Sequence, residues 1–108
     1  MTNFKTFSQK LEAELSEFAA YSWAQYKSEA IKDGKTFLTK SKEDLERWSK
    51  LLANGDLTPD DFEWLLAGKK DIAELTSLKR KGLSKVALDR FANGLIDTIV
   101  ATAFKTYL

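Results

Sequence analysis

Residues 31–40 read "IKDGKTFLTK", and whether a helix runs through them decides the fold. Asp33-Gly34 is a turn-forming pair at which one helix would end, and Ser41 just beyond it would cap the next. That reading gives a four-helix monomer broken near Asp33-Gly34. Against it, Phe4, Leu15, Tyr26, Phe37 and Trp48 recur every eleven residues straight across the stretch, accompanied by Ser8, Ala19, Ala30, Ser41 and Leu52. Eleven residues make three turns at about 3.67 residues per turn, so the set stays on one face of a single coiled-coil-like helix with right-handed drift. The period therefore predicts one helix over residues 3–53, roughly 75 Å long at 1.5 Å per residue.

Through the rest of the chain apolar residues recur at three- and four-residue spacing, and no alternating strand pattern bounded by turns is present. The expectation is a single all-α domain over residues 1–108, a helical bundle. In it the long N-terminal helix is packed by two shorter helices, over 59–81, with Gly68 as a candidate interruption, and over 84–106. The last of these carries the strongest packing signal. Ala92, Leu95, Ile96, Ile99, Val100, Ala103, Phe104 and Tyr107 form one apolar face, opposed by Asp89, Asn93, Asp97 and Lys105. Ala87, Gly94 and Ala101 stand seven apart and would admit a close neighbour.

Composition removes most familiar chemistries. The 108 residues are 44% hydrophobic and 31% charged with one proline, which is the make-up of a folded domain. Seventeen bases face sixteen acids, so the net charge of +1 gives no overall reason to expect nucleic acid or anionic lipid. With neither cysteine nor histidine there is no disulfide, thiol nucleophile, thiolate zinc site or imidazole base. The opening "MTNFKTFSQKLEAELSEF" carries Glu12, Glu14 and Glu17 and no apolar block, unlike a signal or transit peptide, so the cytoplasm is the expected location. The apolar C-terminal stretch is interrupted by Asp97 and Lys105 and is too short to span a bilayer.

Three local patterns suggest ligands, and each has a simpler reading. "NGDLTPDDF", residues 54–62, matches the later half of a calcium loop, but that register puts Lys50 and Leu52 where the first carboxylates belong, so calcium is not expected. Thr58 instead reads as an N-cap, with Pro59 at the first helical position, Asp60 and Asp61 in the positive first turn, and Leu57 paired with Phe62 as a hydrophobic staple. Asn54 and Gly55 close the preceding helix. "KKDIAELTSLKRKGLSK", residues 69–85, offers a basic face, yet as a helix-turn-helix it would put Trp64 where a small residue must pack. Lys69, Glu74 and Ser77 would fall at buried positions. A solvated helix end with Gly82 as its left-handed terminator explains it, and nucleic acid is not expected. The pairs Glu14 with Glu17 and Glu43 with Glu46 lack the histidines of a bundle di-metal site. Glu43 with Arg47 reads as an ion pair, and Ser41 with Asp44 as a cap variant.

No catalytic, cofactor-binding or metal site follows, and the chain is read as a non-enzyme. Trp23, Trp48 and Trp64 each fall within the apolar spacing of their own segment, as core or interface residues do. Residues 54–108 cannot cover a rod of about 75 Å, so part of its aromatic stripe needs another chain. The functional expectation is a helical protein–protein interaction module, homo-oligomeric or a small subunit of an assembly. Its candidate interface residues are Phe4, Phe7, Leu11, Phe18 and Tyr26. The alternative is a monomeric bundle holding a small apolar ligand among its aromatic side chains.

Overall fold

A computed structural model describes residues 4–108, so the start of the first helix at residue 3 lies outside the described residues. Helix α1 spans Phe4–Ser22, α2 Lys27–Lys40, α3 Lys42–Ala53, α4 Pro59–Ala67, α5 Thr76–Arg80 and α6 Lys85–Tyr107. Short 3-10 turns lie at Ala24–Tyr26 and Lys70–Ile72, and no strand is present among the described residues. The chain is an all-α helical bundle.

The continuous helix over 3–53 is not formed. It breaks at Trp23 and Tyr26, where φ of −133° and −124° leaves the helical region, and again at Ser41. After the first break α2 folds back along α1, bringing Gly34 against Leu15. Most of the eleven-residue set keeps its inward side, with Phe4, Ser8 and Tyr26, the last in the first break itself, only half-buried. Leu15, Ala19, Ala30, Phe37, Ser41, Trp48 and Leu52 are all buried, but they face inward from three helices folded on one another. Reversal lets one core cover a stripe that a rod would leave half exposed.

The alternative break at Asp33-Gly34 is not formed either, because both residues are buried inside α2 with roles of their own. Helix α5 begins after Leu75, whose φ of +52° is left-handed, and no residue of its own caps it. Asp33 supplies the cap from α2. Its Oδ1 accepts the Ser77 N–H at 3.0 Å and its Oδ2 the Leu78 N–H at 2.8 Å, filling two of the donors that a helix start leaves over. Gly34 lacks the Cβ that would come within 2.5 Å of Leu15 Cδ1, so it sets how closely α1 and α2 approach.

The segment expected as one helix over 59–81 is interrupted at Gly68, and a 3-10 turn precedes the five-residue α5. The corner before it forms as expected. Gly55 has φ +80° and donates its N–H to Leu52 O, Asp56 donates to Leu51 O, and Thr58 Oγ1 accepts the Asp61 N–H at 3.1 Å. Gly82, at φ +81°, ends α5, and Ser84 Oγ caps α6 by accepting the Ala87 N–H at 3.2 Å.

Four fully buried phenylalanines, Phe7 of α1, Phe37 of α2, Phe62 of α4 and Phe91 of α6, anchor the core. Helix α6 runs antiparallel to α1. Phe7 meets Tyr107 edge-on at 5.3 Å at one end, and Phe18 and Trp23 meet Phe91 at 5.6 and 5.3 Å at the other. Gly94 admits the Phe18 ring, whereas Ala101 of the same spaced set faces outward. The molecule measures 42 × 23 × 19 Å with a radius of gyration of 13.6 Å, the value of about 13 Å expected for a compact chain of this size. No helix among the described residues is long and apolar enough to cross a membrane.

Candidate functional site

Of the five residues expected at an interface, two belong to the chain's own core and three pack against it. Phe7 and Leu11 are buried beneath neighbouring helices. Phe4 lies half-buried against Phe7 at 6.0 Å, Phe18 is half-buried over Gly94, and Tyr26 is half-buried at the first reversal. These five residues do not assemble into one exposed face.

Two aromatic side chains are largely exposed among the described residues, Tyr21 near the end of α1 and Trp64 on α4, and only Trp64 lines a hollow of appreciable size. Helix α4 buries Phe62 and Leu66, four residues apart and thus on one side. Trp64 is two positions from each, roughly 200° around the helix at 3.6 residues per turn, and it is 74% exposed. Of the two readings that the spacing leaves for Trp64, core or interface, its exposure removes the core. Only the i, i+4 pair faces inward, a signal legible in the sequence once the helix is known to be short. Asp60, Asp61 and Ala67 lie three or four positions from Trp64, so they share its solvent-facing stripe.

Beside this stripe lies an open hollow of about 410 Å³ lined by Trp48, Trp64, Leu65, Ala67, Gly68 and Lys69. Its inner wall is Trp48, a largely buried residue of α3, with Lys69 Nζ and the Arg47 guanidinium each 5.8 Å from its ring centre. Both cations converge on Asp44, at 2.5 Å for Lys69 and 2.6 Å for Arg47. Hydrogen bonding from Lys69, with a smaller contribution from Arg47, holds the Asp44 carboxyl below the usual aspartate range. The partner of Arg47 is thus Asp44 rather than Glu43. Asp44 is occupied as an ion-pair acceptor, and Ser41 Oγ caps nothing and is buried without a hydrogen-bond partner.

Elsewhere the surface offers little for chemistry. Hollows of about 230 Å³ between α1 and the α2–α3 junction and about 200 Å³ beside the start of α5 fall below the roughly 300 Å³ at which small-molecule sites begin, and an open groove of about 320 Å³ between the Lys70–Ile72 turn, α5 and the start of α6 lies just above it. Glu14 lies 4.0 Å from Lys105, while Glu17, Glu43 and Glu46 are exposed. Among the described residues no three carboxylates gather where a metal ion would sit. Glu74 pairs with Lys40 at 2.9 Å, and that hydrogen bond lowers its pKa. No known protein family, curated protein or solved structure matches the chain.

Proposed function

We propose that this chain is a non-enzymatic helical module that binds another protein through the Trp64 face of α4. One observation carries the reading: Trp64 is 74% exposed at the edge of an open apolar hollow whose wall, Trp48, has the Lys69 and Arg47 cations 5.8 Å from its ring centre, Lys69 also lining the hollow. Tryptophan is enriched among the few residues that dominate binding energy, and a large exposed aromatic beside a preformed recess is how such an anchor is presented. The non-enzymatic part rests on chemistry. The chain has neither cysteine nor histidine, and among the described residues no group of three or more acidic side chains gathers in one place.

The test is affinity capture from the source lysate with the wild-type chain and with Trp64→Ala as baits, followed by mass spectrometry. A protein retained by the wild type and lost with Trp64→Ala, at equal melting temperature of the two baits, is the expected result. Equal capture by both baits would overturn the assignment of this face.

A further inference from the structure

The segment that carries Trp64 is acidic, and the segment that follows it is basic. Residues 51–68 hold four acids, Asp56, Asp60, Asp61 and Glu63, and no base, whereas residues 69–90 hold seven bases and three acids. Folding does not bring these charges together. Lys69 is taken by Asp44 and Glu74 by Lys40. Among the described residues Asp56, Asp60, Asp61 and Glu63 make no ion pair, nor do Lys70, Lys79, Arg80, Lys81, Lys85 and Arg90. The α4 surface is left with acids side by side, and the surface around α5 and the start of α6 with bases in excess of Asp71, Glu74 and Asp89, an imbalance that a complementary surface relieves.

The basic segment also has a recess. Between the Lys70–Ile72 turn, α5 and the start of α6 lies a groove of about 320 Å³. Its floor includes Leu75, Leu88 and Ala92, and Lys70, Lys79 and Lys85 stand on its rim with Asp71 and Asp89. Val86, next to Lys85, is 72% exposed. The groove thus offers an apolar floor and three ammonium groups that outnumber the two carboxylates on its rim. The Trp64 stripe offers an indole with Asp60 and Asp61 one turn before it.

Taking Trp64 as the anchor, and so resting on the proposed function, we infer that the partner is a second copy of this chain. The Trp64 stripe of α4 in one copy seats in the lysine-rimmed groove at α5 and α6 of the other, indole on the apolar floor and carboxylates against the lysines. The net charge of only +1 leaves little long-range repulsion between copies. The two contacting patches differ, so the contact closes as a two-fold pair when each copy's Trp64 enters the other's groove, and extends as a chain when it does not.

The experiment is sedimentation velocity and light scattering on the full chain, from low-micromolar to sub-millimolar concentration, at low salt and at about 0.5 M salt. The mass should rise with concentration from 12.2 kDa to at least twice that, and the rise should weaken in high salt. Trp64→Ala should weaken association by about tenfold or more. Lys79→Glu with Lys85→Glu should do the same, and mixing that variant with Asp60→Lys/Asp61→Lys should restore a mixed assembly. Melting curves check that each variant is folded. If the doubly reversed α4 does not fold, the salt series and the lysine variant decide alone. A chain that stays monomeric at sub-millimolar concentration and low salt would overturn the inference. So would association untouched by Trp64→Ala and by Lys79→Glu/Lys85→Glu. Trp64-dependent capture of a different protein by a monomeric chain would sink self-association and leave the interaction module standing.

Discussion

Asp33 and Thr58 do the same job over different distances, and the distance decides what a sequence can reveal. Thr58 caps the helix it precedes, with acceptor and donor three residues apart, so the pattern Thr-Pro-Asp-Asp is enough to recognise it. Thr58→Ala should cost about 1 kcal/mol in chemical denaturation. Asp33 caps α5 from 44 and 45 residues away. In the sequence it resembles a helix stop, because only the fold brings its partners. The one local hint is position: Asp33 sits between Ala30 and Phe37 on the apolar side of α2, where a carboxylate needs a partner. Asp33→Ala leaves two N–H groups of α5 without their acceptor beside the left-handed Leu75, and should cost about 3 kcal/mol. Asp33→Asn retains one acceptor oxygen and should cost measurably less; equal losses would mean that the two hydrogen bonds are not what Asp33 contributes.

For whole helices, what was legible was phase, not continuity. The eleven-residue recurrence correctly places Leu15, Phe37 and Trp48 inward, yet three whole turns return a residue to the same face whether or not the helix has bent between. The break at Trp23–Tyr26 contains neither glycine nor proline, so nothing local announces it, whereas Ser41 stands where the four-helix reading started its next helix, although its hydroxyl caps nothing. Gly34 and Gly94 illustrate the reverse case, glycines kept in helices by a neighbour. A Cβ at Gly34 would meet Leu15, a fully enclosed side chain, whereas one at Gly94 would meet the tip of the half-exposed Phe18 ring. Gly34→Ala should therefore lose about 1 kcal/mol net of its propensity gain, and Gly94→Ala should stay close to neutral as Phe18 swings outward. The α3–α4 tie through Asp44 gives a pH signature. Its carboxyl is held below the usual range by Lys69 first and Arg47 second, so the stabilisation is complete above that range and fades as pH falls through it. Asp44→Asn should flatten the loss of stability between about pH 5 and pH 2, by a small amount because the pair is solvent-screened.

At the scale of the whole molecule, compaction follows from the same apolar count that suggested a rod. Folded into three helices, reversed between α1 and α2 and bent at Ser41, residues 4–53 cover their own stripe against α6, and the longest dimension is 42 Å instead of about 75 Å. Phe7 and Leu11 become core, Phe4, Phe18 and Tyr26 pack half-buried against it, and the surface proposed for a partner lies instead on α4, whose shortness no periodicity announced. The parts cannot stand alone. Helices α4 and α5, nine and five residues long, fall below the roughly 12–15 residues at which an isolated helix becomes marginal in water. Phe62 and Leu78 tie them to a core that α1, α2 and α6 complete. Unfolding should accordingly be a single transition, with an enthalpy of about 75 kcal/mol from about 0.7 kcal/mol per residue. Helical circular dichroism reports all six helices. Tryptophan emission reports mainly Trp48 and Trp23, since Trp64 is already solvated. At low-micromolar concentration and high salt, where contacts between copies are screened, the two signals should share one midpoint. Helical signal outlasting the tryptophan change would show the α1–α2 hairpin folding by itself, and the chain would then be two cooperative units rather than one.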